Sequence, residues 1–351
     1  RVATYNVLSS SLCEPDYFTS CKPENLDPEK RLPRIYSQLE EEIRNEAIIC
    51  LQEISMSWAG PMHAFFHQRG YHLVLSLYGG SRNGYMGIGL AFPSDRFESE
   101  MIDIKRLSDA FELPRSPEPG LRARVQSYLG TVASPFVSFA RKVGLPTPRQ
   151  RRREKDEWYS SRRQNTLVFA RLRDRTTGAP FAVATYHMPC AYFAPRVMTL
   201  HAAMAVTRVS RLAAGLPMVL AGDFNLIPGS EPYRLITEGE LPKDDAEERD
   251  GIHKSWFFLA YRATEMSSHY CHSIIFQVLG EEPAFTNYAE TRGAPVFIET
   301  LDYIFVSPEI KTLEIRNLPT KEEASGPYPT EAEPSDHAML AATLRIPAKL
   351  D

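Results

Sequence analysis

The segment MVLAGDFN, residues 218–225, places a carboxylate and an amide directly after a short run of apolar residues. The run 218–221 has the length and composition of a buried strand. Asp or Asn after a strand is usually a turn former or a helix cap, so this signature alone does not indicate a functional site. Its meaning depends on whether the same arrangement recurs elsewhere in the chain.

Four other short signatures repeat the arrangement, three of them after an apolar run and the last before one. They are Tyr5-Asn6-Val7, Leu51-Gln52-Glu53, Leu301-Asp302-Tyr303 and Ser335-Asp336-His337. Side chains at strand ends converge on one rim of an α/β sheet stack, which is where such folds bind ligands. The joint occurrence of these signatures therefore predicts one polar site assembled from distant parts of the chain.

Short β-like runs alternate with amphipathic helices along the whole sequence, without an internal repeat. Asp27-Pro28 supplies a cap and a first-turn proline for a helix running to Asn45, and a four-three apolar spacing predicts another helix over 194–215. We predict strands at 2–8, 47–51, 71–77, 85–92, 97–107, 166–172, 180–185, 218–221, 301–306, 312–317 and 338–344. With 351 residues and 43% apolar content, the chain is expected to form one α/β domain over 1–351.

One segment, 108–163, breaks this pattern because it is rich in proline and then in arginine. We predict that it is a surface insertion. Its basic run consists of Arg149, Arg151, Arg152, Arg153 and Lys155. Two interpretations stay open: a phosphate-attracting arm, or a solvated loop whose charges serve only solubility.

The overall composition excludes several classes of protein. The formal net charge is −4, so the molecule is not a polycation that binds nucleic acid by bulk charge, and any such site must be local. The five cysteines are widely spaced and lack a Cys-x-x-Cys pair, which favours a reducing compartment over a zinc or redox centre. No run approaches the roughly 20 apolar residues that span a bilayer.

The chain starts at Arg1 and enters a predicted core strand at once. We therefore expect a leader or a further domain upstream of it. The expected location is intracellular, either cytoplasmic or organellar.

The residue types of the five signatures suit the hydrolysis of an anionic phosphodiester. That reaction needs charge neutralisation and an aimed nucleophile. Hard oxygen ligands hold magnesium for this purpose. Glu53 is predicted to be a direct metal ligand, with Asn6 and Asp336 orienting or sharing the ion and its waters.

The other polar residues of the signatures suit proton transfer and charge stabilisation. Asp223 is predicted to orient or deprotonate the attacking water, and Asn225 to donate an amide N–H to a phosphoryl oxygen. Asp302 and His337 form a predicted carboxylate–imidazole pair in which the carboxylate favours the protonated ring. His187, at the end of a predicted strand, supplies a second contact of this kind.

The remaining histidines of interest lie in helical patterns. They are His63, His67, His201 and His253. We predict ordinary surface or cap positions for them.

This set of residues resembles the endonuclease/exonuclease/phosphatase superfamily over almost the whole chain. The motifs EPAFTNY (282–288), TLDYIF (300–305) and EPSDH (333–337) are similar to its deadenylase branch, which includes carbon-catabolite-repressor deadenylases, nocturnin, the Angel proteins and a mitochondrial 2′-phosphodiesterase. The resemblance implies a four-layer α/β sandwich, with two mixed β-sheets packed face to face and helices outside. It also implies Mg2+ as cofactor, with Mn2+ as a substitute, and a nucleotide phosphodiester or phosphomonoester as substrate.

The chain departs from the branch at two places that bear on substrate choice. Residues 185–187 read Thr-Tyr-His where the branch has Thr-His, and 82–89 replace a more usual acidic-Gly segment. By position, Phe297 resembles an aromatic that stacks on adenine in the branch, and Arg82 and Asn165 are candidate phosphate contacts. The alternatives are a packed phenylalanine and ordinary structural hydrogen bonds.

Three functions follow from this reasoning. The leading one is a 3′-to-5′ exoribonuclease on single-stranded RNA, deadenylase-like or trimming 3′ ends. The second is a phosphatase or 2′-phosphodiesterase acting on a small nucleotide or an oligoadenylate. The third is a catalytically silent scaffold, which the sequence opposes because every expected catalytic position holds a competent residue.

Overall fold

The computed structural model of the chain describes residues 1–80, 85–111, 148–239 and 271–347. The strands in this part are β1 Val2–Asn6, β2 Ile48–Ile54, β3 Tyr71–Leu77, β4 Gly87–Pro93, β5 Phe97–Arg106, β6 Thr166–Asp174, β7 Pro180–His187, β8 Met218–Asp223, β9 His272–Ser273, β10 Asn287–Ala289, β11 Phe297–Glu299, β12 Asp302–Val306, β13 Lys311–Ile315 and β14 Leu340–Arg345. The α-helices are α1 Pro23–Leu26, α2 Pro28–Arg44, α3 Met56–His67, α4 Pro148–Arg162, α5 Pro195–Ala213, α6 Glu231–Thr237 and α7 Ile274–Leu279.

The strands form two six-stranded sheets and one two-stranded hairpin. The first sheet has the order β13-β14-β1-β2-β4-β3, and the second has the order β5-β6-β7-β8-β12-β9. Each sheet is mixed, because β1 pairs parallel to β2 and β7 pairs parallel to β8, while their other neighbours are antiparallel. Strands β10 and β11 form the separate hairpin.

The two sheets pack face to face over an apolar core. Buried side chains from both sheets meet there: Val2, Ile48 and Leu90 from the first, and Val168, Val183, Val219 and Ile304 from the second. Helices α2 and α3 cover the outer face of the first sheet, and α5 covers that of the second. The predicted four-layer α/β sandwich is confirmed.

The long helices begin where the sequence signals a start. The side chain of Asp27 accepts a hydrogen bond from the Glu29 N–H at 3.0 Å, and Pro28 occupies the first turn of α2. Helix α5 begins at Pro195 and ends at Ala213, and the capping residue Ala214 has a φ of 53°. Among the helices of the described ranges, none is long and apolar enough to cross a membrane.

The insertion predicted at 108–163 lies partly outside the described residues, which omit 112–147. Its two described ends pack against the domain, with Ser108 and Ser160 buried. Helix α4, which the sequence reading did not predict, lies against α5. The described ends of the segment are therefore attached to the core and are not a simple surface loop.

Candidate active site

Strand pairing brings the polar signatures of the second sheet to one rim. His187 ends β7 and lies opposite Asp223, which ends the parallel strand β8. Asp302 begins β12 and lies opposite the same Asp223, because β12 runs antiparallel to β8. A strand end and a strand start therefore meet at one edge, as the sequence predicted for these residues.

Glu53 reaches the rim through an irregularity in β2. The strand continues to Ile54, so the prediction that Glu53 follows the strand end is wrong. The register with β4 shifts between Gln52 and Ile54, and Glu53 has a φ of 62°. A bulge with left-handed backbone re-aims a side chain and costs conformational energy, which proteins retain mostly at functional positions. The Glu53 Oε2 accepts the Ser9 backbone N–H at 3.1 Å.

The amide of Asn6 links the two sheets. Its Oδ1 accepts the Leu8 backbone N–H at 3.0 Å, which fixes the amide orientation. Its Nδ2 donates to Glu53 Oε1 at 3.1 Å and to Asp223 Oδ2 at 3.0 Å. Asn6 thus presents nitrogen, and not oxygen, to these carboxylates. The arrangement suits orienting the carboxylates better than binding a cation directly.

His187 lies between carboxylates and a buried tyrosine. Its Nε2 is 3.4 Å from Asp223 Oδ2 and 3.9 Å from Glu53 Oε1. The hydroxyl of Tyr78 is 2.8 Å from Nδ1 and fixes the ring. Burial raises the pKa of Tyr78 well above its usual value, so the hydroxyl keeps its proton. Sequence reasoning missed Tyr78, although it follows a predicted strand as the other signatures do.

Asn165, a predicted phosphate contact, also supports this histidine. Its Nδ2 donates to the carbonyl oxygen of His187 at 2.9 Å. That bond fixes the backbone at the end of β7, which is the structural alternative raised from the sequence.

Asp302 and His337 form the predicted pair. The Asp302 Oδ2 is 2.7 Å from His337 Nδ1 and accepts the Thr286 hydroxyl at 2.7 Å. Burial raises the pKa of Asp302 to about 6. Burial would lower the pKa of His337, but nearby carboxylates, chiefly that of Asp302, raise it well above its usual value. At neutral pH the pair is therefore an imidazolium beside a carboxylate.

Asp336 lies at the edge of the cluster. Its Oδ2 accepts from Asn287 Nδ2 at 3.3 Å, and its Oδ1 is 4.0 Å from His337 Nε2. The neighbouring Ser335 donates its hydroxyl to the Asn6 carbonyl at 2.6 Å. The loop that carries Asp336 is thus joined directly to the end of β1.

Asn225 has a φ of 51° and caps the turn after β8. Its backbone N–H donates to Asp223 Oδ1 at 2.9 Å, and its Nδ2 donates to the Met188 carbonyl at 3.0 Å. An amide nitrogen carries two hydrogens, so this bond leaves one hydrogen for a substrate oxygen.

A buried arginine that the sequence reading missed supports the same loops. Arg31 is fully buried and donates to the carbonyl oxygens of Val7 at 2.7 Å, Leu8 at 2.8 Å and Pro334 at 2.6 Å. These carbonyls follow Asn6 and precede the loop 335–337. Arg31 therefore fixes the two loops relative to each other.

Of the other two predicted substrate contacts, Phe297 and Arg82, the structure describes Phe297. Phe297 is half-buried in β11, opposite Ala289 of β10. Thr286, which precedes β10, contacts Asp302, so the hairpin is tied to the polar cluster. Arg82 lies outside the described residues.

The donor set fits a divalent cation. Ligand atoms of Glu53, His187 and Asp223 lie within 4.8 Å of one another, and those of Asp223, Asp302 and His337 do so as well. Asp223 belongs to both groups. Clustered carboxylates repel one another unless a cation or protons offset their charge, and their oxygens suit Mg2+ or Mn2+.

Three curated relatives resemble part of the chain. The carbon catabolite repressor protein 4 homolog 4 of Arabidopsis thaliana is 31% identical over 180 residues, which cover 47% of this chain and 37% of that protein. The 2′,5′-phosphodiesterase 12 of Mus musculus is 29% identical over 198 residues, covering 52% and 29%. The CCR4-Not complex 3′-5′-exoribonuclease subunit Ccr4 of Coccidioides immitis is 29% identical over 144 residues, covering 39% and 17%. The aligned regions thus span well under half of each relative's length.

Solved structures share the fold over nearly the whole chain. The crystal structure of ANGEL2, a 2′,3′-cyclic phosphatase, aligns with a TM-score of 0.68 at 19% identity, covering 98% of this chain and 95% of that one. The family model for the Endonuclease/Exonuclease/phosphatase family matches residues 3–337, which include every residue of the polar cluster. The chain belongs to the endonuclease/exonuclease/phosphatase family.

Proposed function

We propose that this chain is a metal-dependent phosphodiesterase that acts as a 3′-to-5′ exoribonuclease on single-stranded RNA. The observation that carries the proposal is the position of Asp223, whose Oδ2 lies 3.4 Å from His187 Nε2 and 3.8 Å from His337 Nε2. One buried carboxylate between two imidazoles, beside Glu53, is a suitable arrangement for hydrolysing an anionic ester.

The side chains divide the work by their protonation. Asp223 is a carboxylate that orients a water molecule and accepts its proton. His337 carries a proton that Asp302 stabilises, so it donates a hydrogen bond to the phosphoryl oxygens as negative charge develops there. His187, held by Tyr78, contacts the phosphate from the other side of Asp223.

The proposed cofactor is Mg2+, with Mn2+ as a substitute. Enzymes of this family depend on a divalent metal, and the Glu53 carboxylate, beside that of Asp223, is the group that would hold it. When bound, the cation neutralises phosphate charge and polarises the ester. Asn6 positions both carboxylates through its amide, and Asp336 is proposed to orient water at the edge of the site.

The relatives support RNA as the substrate and also one alternative. One relative is named as a 3′-5′ exoribonuclease subunit and another as a carbon catabolite repressor protein 4 homolog. The names 2′,5′-phosphodiesterase and 2′,3′-cyclic phosphatase support a second candidate, in which this site acts on a small nucleotide or an oligoadenylate. The complete polar cluster opposes the scaffold alternative.

A substrate panel tests the proposal. The purified chain with Mg2+ is incubated with a 5′-labelled single-stranded RNA, the matching DNA, a 2′,5′-linked oligoadenylate and a 2′,3′-cyclic nucleotide. We expect an RNA ladder that shortens from the 3′ end, and no activity in EDTA. The isosteric variant Asp223→Asn should be inactive.

Two results would redirect the conclusion. Turnover of only the cyclic or the 2′,5′-linked substrate would favour the second candidate. Equal activity of wild type and Asp223→Asn would remove the role assigned to this carboxylate.

A further inference from the structure

Helix α4 presents an exposed stripe of a cation, an aromatic ring and a second cation. Lys155, Trp158 and Arg162 are all exposed, and their spacing of three and four residues places them on one side of the helix. Trp158 retains 37% of its accessible surface, whereas Glu157 and Ser160 are buried. The helix thus buries one face against the domain and shows the stripe to solvent.

The stripe is preorganised by contacts among its side chains and the adjacent Tyr159. The Arg162 guanidinium carbon lies 5.6 Å from the Trp158 ring centroid, and the Lys155 Nζ lies 5.6 Å from that of Tyr159. The two rings are adjacent, with centroids 5.1 Å apart. A cation over an aromatic face holds both groups in place at low entropic cost.

The stripe leads to the catalytic rim. Arg106 donates to the carbonyl of Arg163 at 2.9 Å, which anchors the end of α4. The Arg163 guanidinium carbon lies 5.7 Å from the ring centroid of Phe193, whose side chain is 74% exposed. Two residues beyond Arg163, Asn165 bonds the carbonyl of His187. A third cation–aromatic pair therefore follows the stripe along the chain, two residues before the residue that bonds His187.

We propose that this surface, from Lys155 to Phe193, binds the nucleotides of a single-stranded RNA that precede the scissile bond. Arginine and lysine groups contact phosphates, while exposed rings stack on unpaired bases, a combination typical of single-strand binding. Bases in a duplex are already stacked and paired, so the surface selects single strands. The proposal rests on the proposed function and deepens it, because a small nucleotide is too short to occupy both the site and the stripe.

The test compares substrate lengths. Steady-state kinetics are measured on an adenylate 3-mer and a 15-mer for wild type, Trp158→Ala and Trp158→Phe. We expect Trp158→Ala to raise KM for the 15-mer roughly tenfold, with kcat and the 3-mer values unchanged, because loss of a stacked ring costs only bases that reach it. Trp158→Phe keeps a ring and should recover most of the loss.

A matched control and a salt series separate stacking and charge from folding. Phe276→Ala removes a ring that is 52% exposed on α7 and should change neither substrate. Replacing Lys155 and Arg162 by Gln should flatten the salt dependence of KM for the 15-mer, by about 0.7 in slope for each lost phosphate contact.

The outcomes distinguish this inference from the proposed function. If Trp158→Ala lost activity equally on both oligomers, or if its KM for the 15-mer were unchanged, the proposed role of the stripe would be overturned. If wild type cleaves neither oligomer, the proposed function fails. Fluorescence anisotropy of a labelled 15-mer in EDTA then tests RNA binding by the stripe without cleavage. Trp158→Ala must raise the Kd roughly tenfold, and an unchanged Kd rejects the proposed role.

Discussion

Two buried histidines of this molecule have pKa values that are shifted in opposite directions. His337, at the rim that carries the polar cluster, is 5% exposed, and His201, on α5, is fully buried. Carboxylates surround His337 and raise its pKa well above the usual value. His201 faces the Tyr186 hydroxyl at 2.6 Å and the Ser160 carbonyl, and burial lowers its pKa to about 3.

The comparison shows that burial lowers the pKa of a histidine where no carboxylate is near, as at His201, and that neighbouring carboxylates reverse the shift at His337. Placing several carboxylates in one buried cluster is unfavourable by itself, and a fold retains such a cluster when it serves a function. At the α4–α5 contact the fold instead keeps a neutral ring. It lies on α5 and is within hydrogen-bond distance of the Ser160 carbonyl of α4 and the Tyr186 hydroxyl of β7. Charge is concentrated at the rim, whereas the contact between α4 and α5 is built for packing.

The largest expected effect is a loss of turnover when the carboxylate beside His337 is removed. Asp302→Asn removes the carboxylate that makes His337 differ from His201. Since the amide neither stabilises the imidazolium nor fixes the same tautomer, we expect kcat to fall about 10²- to 10⁴-fold. Steady-state kinetics on the RNA substrate measure it.

A matched control is Glu282→Gln, which changes a half-buried carboxylate that accepts from Tyr233 at 2.7 Å and Ser273 at 3.0 Å. It should reduce stability and leave kcat near the wild-type value. Wild-type turnover by Asp302→Asn would contradict the assigned pairing.

A smaller effect is expected from Phe297, which tests whether the outer rim reads a base. If its ring stacks on the base beside the scissile phosphate, Phe297→Ala should lose roughly ten- to hundredfold in kcat/KM on nucleotide substrates. Hydrolysis of bis-p-nitrophenyl phosphate should change far less. Equal losses on both substrates would show that Phe297 is packing.

The smallest effect concerns His201 and appears in stability. Its pKa is lower in the folded chain than in the unfolded one, so its contribution is complete above about pH 6.5 and is lost as pH falls towards 3. His201→Gln should flatten the acid side of the stability curve by up to about 1.4 kcal/mol per pH unit. Urea unfolding at pH 7, 6 and 5 measures this, with the exposed His72→Gln as control. Parallel curves for wild type and His201→Gln would contradict the buried neutral ring.

The site residues that the sequence identified lie at or beside strand ends. Asn6, Asp223 and Asp302 were found because polar residues beside apolar runs mark strand ends, and strand ends share a rim. The sandwich itself followed from the family resemblance and was confirmed. The bulge at Glu53 could not be predicted from the sequence, because a one-residue register shift depends on the pairing with strand β4.

The misses have one physical cause, which is contact between distant segments. The prediction that His201 lies on the surface is wrong, because periodicity indicated one buried face of α5 while α4 covers another. Arg31 was missed because its partners are backbone carbonyls, which leave no mark in residue types. Exposed positions predicted for His63 and His67 agree with the structure, and His253 lies outside the described residues.

The most direct test of the account is Mg2+ binding and turnover measured on wild type and Glu53→Ala. The substitution removes a half-buried carboxylate at the rim without opening the core, so circular dichroism should show an intact fold. We predict that calorimetry shows Mg2+ binding to wild type and a much weaker affinity in the variant, with turnover abolished. Unchanged Mg2+ affinity together with near-normal turnover in Glu53→Ala would contradict the claim that this cluster is a metal-dependent phosphodiesterase site.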